Sequence, residues 1–212
     1  MGFAMPPRPA FLERALQGLA FWIGHRHSLF RGHPLVEGAL VAEACNLIQA
    51  NLPDSLILCP ECQYKRILPP GRAPKALQGR ARADLVIMSN AARARLKDGD
   101  LSDYVQFVFE VKRGTSARAS IDADLRRLLD FLKTTETHAR AFLIVVGESR
   151  APPRFVGDGK SRLGSFEIPG SDGCFHVRRT VKAAASFSAK RSAHYVCLVE
   201  VFTDRPKKLP SV

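Results

Sequence analysis

The sequence predicts a single mixed α/β domain, with a mixed central sheet flanked by helices, a core in the order αβββαβ, an N-terminal helix and extra C-terminal strands. Three observations carry that prediction. The apolar run Val105-Gln106-Phe107-Val108-Phe109 leads into Glu110-Val111-Lys112 and reads as a strand buried inside a sheet. Ile121, Leu125, Leu128, Leu129 and Leu132 recur at the period of an amphipathic helix. Ala141-Phe142-Leu143-Ile144-Val145-Val146, closed by Gly147, is an uninterrupted apolar strand. Strand, helix and strand in this order form a crossover unit, expected to be right-handed with its two strands parallel.

The other elements follow in chain order. Pro6 to Pro9 is a turn-rich lead-in, after which Phe11, Leu12, Ala15, Leu16, Leu19, Ala20 and Ile23 mark a first helix. A second helix starts after His33-Pro34 and runs to about Asn51, with Val36, Leu40, Ala44, Leu47 and Ile48 toward a core and Glu37 and Glu43 flanking that stripe. Leu56-Ile57-Leu58 begins a strand that Pro60 confines to a sheet edge or a bulge. Arg72 to Arg82 is a basic loop, Leu85 to Met88 a strand preceded by Asp84, and Ala91 to Leu96 a helical turn. Ser120 is the expected N-cap of the amphipathic helix, with Asp122 and Asp124 in its positive first turn. Residues 151–173, rich in Pro, Gly and basic side chains, predict a mobile or irregular excursion. Phe175 to Val181 is a short strand, His194 to Phe202 a clearer one, and Pro206 to Val212 a tail.

Length and composition bound the function. At 212 residues and 46% hydrophobic, the chain supports one domain with a sizeable core, here a core over about 34–147, an extension over 1–33 and a decoration over 148–212. Thirty-two Lys and Arg against 20 Asp and Glu give a net charge of +12, which favours a polyanionic partner, nucleic acid before others. That charge is dispersed along the chain, which suits contact with a phosphate backbone better than a single base-reading helix. No segment approaches the roughly 18 apolar residues of a membrane span. Five cysteines are an odd number in a chain too large to need disulfides, so a cytoplasmic location is expected. Cys59-Pro-Glu-Cys62 resembles half a zinc knuckle, but no second C-x-x-C or H-x-H pair follows it and only Cys174, His176 and Cys197 remain as partners, so a zinc site is not expected. Trp22, His25, His27 and His33 lack ligand spacing and read as packing or helix-end residues.

Glu110 and Lys112, at i and i+2 on a strand, share a face. Charges in so apolar a setting need partners or a metal, and Asp84 at the start of the preceding strand suggests a divalent-metal site. Asp84 on one strand, then Glu110-x-Lys112 on the next, then an amphipathic helix, resembles the PD-(D/E)xK nuclease superfamily, the restriction-endonuclease-like fold, over about 34–147. The prolyl of the family motif is Ala83 here. The resemblance implies an Mg²⁺-dependent endonuclease, with Mn²⁺ as a substitute, acting on DNA more than RNA. It implies Asp84, Glu110 and the Val111 carbonyl as metal ligands, Lys112 as the residue that orients or helps deprotonate the attacking water, and Glu37 as the helix acid. Glu43 is the rival for that last role and Glu61 a weaker third. Arg82, Arg113 and Arg118 are the expected phosphate contacts. A homodimer is expected by analogy, since cutting two strands needs two sites. The alternative is an inactive descendant of the fold that binds nucleic acid or assembles with partners.

Overall fold

Phe109 and Phe142 stack across two neighbouring strands, ring centroids 5.4 Å apart and planes 18° from parallel, and the sheet extends to either side of that pair. The computed structural model describes residues 6–30, 33, 35–97, 99–184 and 193–203. In chain order the elements are α1 (Ala10–Leu29), α2 (Glu37–Gln49), β1 (Leu56–Gln63), the single turn α3 (Tyr64–Ile67), β2 (Arg82–Ser89), β3 (Val105–Arg113), α4 (Arg118–Thr134) and β4 (Arg140–Gly147). The short β5 (Val156–Gly157), β6 (Lys160–Ser161) and β7 (Phe166–Glu167) follow, then the long β8 (Cys174–Ala184) and β9 (Ala193–Phe202). The predicted turn after β2 is a 3-10 helix over Asn90–Arg95.

Seven strands form one mixed sheet in the order β1-β2-β3-β4-β9-β8-β7, and β5 and β6 pair separately. Only β3 and β4 run parallel, as a strand–helix–strand crossover through α4 requires; the other neighbours are antiparallel. β3 is interior, and its side chains alternate between two cores. Val108 packs on the α4 side with Val86, Leu143, Leu125 and Leu128. Phe109 and Val111 pack on the other side with α1 and α2, against Leu16, Leu19, Leu40 and Ala44. Pro60 stays inside β1 because β1 is an edge strand, where a missing N–H need cost no ladder bond.

Several expectations are corrected. The second helix begins at Glu37, so Val36 precedes it and is 63% exposed, whereas Leu40, Ala44 and Ile48 are buried as the stripe predicts. α4 starts at Arg118 with Ala117 as its N-cap, three residues before the expected cap Ser120. Asp122 and Asp124 therefore lie beyond the first turn, buried against basic partners; tertiary ion pairs, not the helix end, hold them. The 151–173 excursion contains three short strands pinned by the fully buried Phe155 and Ile168, and β7 extends the main sheet. β8 spans 11 residues, longer than its apolar stretch suggests, because β9 offers a full-length partner. The predicted tail over 206–212 lies outside the described residues. At the end of α1, His27 Nδ1 meets Glu148 Oε1 at 3.2 Å, and Glu148 Oε2 accepts the Leu35 N–H at 3.3 Å, fastening both N-terminal helices to the end of β4. Among the described residues no helix is long and apolar enough to cross a membrane.

Because Phe109 and Phe142 are both fully buried, Phe109→Ala should cost about 3–5 kcal/mol in urea unfolding. A loss under 1 kcal/mol would mean that the sheet is not centred on this pair.

Candidate active site

The register of the sheet gathers the acids. Leu85 pairs with Phe109 at the end of the antiparallel β2–β3 ladder, and just beyond it Asp84 lies close enough for its charge to act on Glu110. On the other side Pro60 pairs with Leu85 and Cys62 with Ala83, and between those pairs Glu61 lies near enough for its charge to act on Asp84. Asp84 thus bears the charge of Glu61 and adds its own to Glu110. Like charges so placed repel. Glu61 leaves the regular pleat with a left-handed φ of 52°.

Each remaining acid is held by a protein donor. Asp84 Oδ2 accepts the Val111 N–H at 2.7 Å. Glu110 Oε1 accepts the Tyr64 hydroxyl at 2.9 Å, and Arg127 Nη1 lies 3.8 Å away. Tyr64 is fully buried at the first position of α3, directly after β1. Lys112 Nζ donates to Glu37 Oε1 at 2.7 Å and lies 3.2 Å from Asp124 Oδ2. Asp124 also pairs with Arg127, one helical turn further along α4. Glu37, not Glu43, is thus the α2 acid that meets the strand residues. Its place at the first residue of α2 suits the positive end of the helix.

The predicted Glu37, Asp84, Glu110 and Lys112 therefore come together. Val111 enters through its N–H, with its side chain buried in the opposite core. Sequence reasoning missed three members. Asp124 had a signal, since it stands four residues before Leu128 and seven before Phe131, inside the apolar stripe of α4. Arg127, which joins Asp124 to Glu110, and Tyr64 had none, because only the tertiary fold brings them to the site. Of the expected phosphate contacts, Arg82 is exposed at the start of β2, Arg113 half-buried at the end of β3, and Arg118 exposed at the start of α4. The cysteines do not assemble: Cys174 and Cys197 lie on β8 and β9, and β2, β3 and β4 separate β9 from the strand carrying Cys59 and Cys62.

Four acids, Glu37, Asp84, Glu110 and Asp124, face two cations, Lys112 and Arg127. Burial foremost, then the charges of Asp84 and Asp124, push the Glu110 carboxyl up to about 8 against the opposing pull of Arg127 and the Tyr64 hydrogen bond. Burial likewise raises Asp84, opposed by the Val111 amide and reinforced by Glu61. Burial alone would lower Lys112, but the Glu37 hydrogen bond and the Asp124 charge outweigh it, so its pKa is raised and it stays an ammonium at neutral pH. Elsewhere the chain gives a single buried acid two cations, for Arg140 (2.7 Å) and Arg178 (3.0 Å) both pair with Glu200. Beside the acids a cleft of about 520 Å³ opens between α2 and the sheet edge, with Glu37, Glu61 and Asp84 in its wall.

All-oxygen donors and a deficit of positive charge fit a hard divalent cation. Among the described residues no group of three or more His, Cys, Asp or Glu side chains is arranged to hold a metal ion. Mg²⁺ commonly needs only one or two carboxylates and keeps several waters, so the Asp84–Glu110 pair meets that lesser demand.

In comparisons with known proteins, no family model and no curated protein sequence matches the chain.

The raised Glu110 carboxyl sets a sign. Without metal, its contribution to stability is full below about pH 4.5 and is lost as pH rises through about 8. Urea unfolding of the metal-free protein between pH 5 and 9 should show stability falling in that window. Glu110→Gln, which keeps an acceptor for Tyr64, should flatten the profile and be more stable at pH 9, by on the order of 1–3 kcal/mol. A profile unchanged by the substitution would mean that Glu110 is ionised without penalty.

Proposed function

We propose that the protein is a metal-dependent nuclease of the PD-(D/E)xK type, hydrolysing phosphodiester bonds of DNA more than RNA. One observation carries the reading: just past the end of the β2–β3 ladder Asp84 lies close enough for its charge to act on Glu110, with Lys112 two residues beyond, in a chain of net charge +12. The order α2-β1-β2-β3-α4-β4 supports it as well, matching αβββαβ once the single turn α3 is set aside. Ala83 in place of the family's proline alters the approach to Asp84 and leaves the carboxylate in position.

Asp84, Glu110 and the Val111 carbonyl would hold Mg²⁺ or Mn²⁺, which when bound polarises the phosphoryl oxygen and lowers the pKa of a water. The protein residues do the rest. Lys112, an ammonium steadied by Glu37 and Asp124, orients the water and offsets charge developing on the phosphate; its raised pKa argues for that role over proton abstraction. Glu37 is the acid best placed to take a proton near Lys112 Nζ. Arg127 keeps Glu110 and Asp124 from repelling each other outright. Arg82, Arg113 and Arg118 would contact the nucleic-acid backbone and position it. A homodimer with two such centres is the assembly that would cut both strands.

A second reading, a non-catalytic nucleic-acid-binding or assembly module, is favoured by one feature: Val111, Tyr64 and Arg127 already occupy the carboxylates that would bind metal.

Purified protein incubated with supercoiled, linear and single-stranded DNA in Mg²⁺ or Mn²⁺ distinguishes the two. The nuclease reading expects cleavage that EDTA abolishes and that Glu110→Gln or Lys112→Ala slows by about 10²-fold or more. Cleavage that survives both EDTA and Lys112→Ala would overturn it, and salt-sensitive DNA binding without cleavage would favour the binding module.

A further inference from the structure

A second cleft, of about 540 Å³, lies beyond Lys112 on the same end of the sheet, between the chain that follows β3 and the 151–173 excursion. Its volume falls within the roughly 300–1,000 Å³ of small-molecule sites. Gly114 and Ser116 begin its lining two and four residues after Lys112, so it adjoins the site described above. We propose that this cleft binds one unpaired nucleotide of the nucleic-acid substrate, its base stacked on Phe166 and its phosphate gripped by Arg118 and Arg162. The proposal deepens the nuclease reading and rests on it for the identity of the ligand as nucleic acid.

The walls have the chemistry of a nucleotide. Phe166 stacks on the buried Phe175, with centroids 5.4 Å apart and planes 24° from parallel, which covers one part of the ring and leaves it half-buried. An aromatic ring backed in this way is a rigid platform, and every base offers a π-face to it. Three arginines, Arg118, Arg154 and Arg162, share the lining with one acid, Glu167. Arg154 is already committed: its Nη1 lies 2.5 Å from Asp122 Oδ1 and its guanidinium sits 5.1 Å over the Phe175 ring. That arginine fixes the platform. Arg118 is the reverse, its side chain 80% exposed and no nearer than 4.0 Å to Asp122, and Arg162 is also exposed, so these two can turn to an anion.

Leu163 is 90% exposed between Arg162 and Gly164, which has a φ of 106°. An apolar side chain held in water beside basic residues suits insertion against a base step, as wedge residues do in proteins that unstack nucleic acid. A paired base inside a duplex cannot reach a recessed aromatic platform, so the cleft selects single strands, frayed ends or extruded nucleotides.

The test uses the full chain in EDTA, so that binding is read without cleavage. Fluorescence anisotropy is measured with a labelled single-stranded 12-mer and with a blunt duplex of the same sequence, at one salt concentration, and a 2-aminopurine base in the single strand reports stacking. Wild type should favour the single strand and quench 2-aminopurine. Phe166→Ala should weaken single-strand binding about 10-fold or more and abolish the quench, leaving duplex affinity within about twofold. Phe166→Trp should restore both signals, which separates loss of the platform from loss of fold, and Arg162→Glu should weaken single-strand binding with the platform intact. Equal losses on duplex and single strand, an unchanged quench in Phe166→Ala, or no binding by wild type would each overturn the proposal. Absence of Mg²⁺-dependent cleavage alongside a Phe166-dependent quench would overturn the nuclease reading and leave the cleft assignment standing.

Discussion

The constraint on which the rest depends is the β2–β3 register. Leu85 against Phe109 is a core pairing, chosen by two apolar side chains that bury themselves on the α1–α2 side. The same choice brings Asp84 and Glu110, the residues next along each strand, near each other where charges are expensive. A slip of one residue would relieve the acids and would also turn Phe109 and Val111 out of their core. The apolar residues thus impose a cluster that the acids alone would not form.

The surroundings temper that repulsion without removing it. Tyr64, Val111 N–H and Arg127 give Asp84 and Glu110 partial compensation, whereas Lys112 is shared between Glu37 and Asp124. The Arg140–Glu200–Arg178 group, near the other end of the strand order, supplies two cations to one acid. The contrast is informative, because the fold can neutralise a buried carboxylate and at Asp84 and Glu110 does so incompletely.

How much of this was legible in the sequence divides along one line. β3, α4 and β4 could be read because burial on both faces of a strand, or on one stripe of a helix, leaves a periodic trace in the residues themselves. Pro60 carried its edge position with it. Asp84, Glu110 and Lys112 were legible through their order and spacing, whereas Glu37 was named only through the family resemblance, with Glu43 and Glu61 as rivals. Illegible were the features made by packing: the start of α4 at Arg118, the length of β8, the short strands pinned by Phe155 and Ile168, and the roles of Tyr64 and Arg127. Asp124 lies between these classes. Its place in an apolar stripe is a trace in the sequence that the expectation of a first-turn acid passed over, and only the structure supplies Lys112 and Arg127 as its partners.

The central claim is that Asp84 and Glu110 form a pair deficient in positive charge. Isothermal titration of the metal-free protein with Mg²⁺ at pH 7, repeated in two buffers of different ionisation enthalpy, tests it most directly. With the Glu110 carboxyl held up at about 8, the account predicts one saturable site whose filling releases close to one proton, and loss of that heat in Asp84→Asn. Heat that does not saturate, or binding unaffected by Asp84→Asn and without proton release, would contradict it.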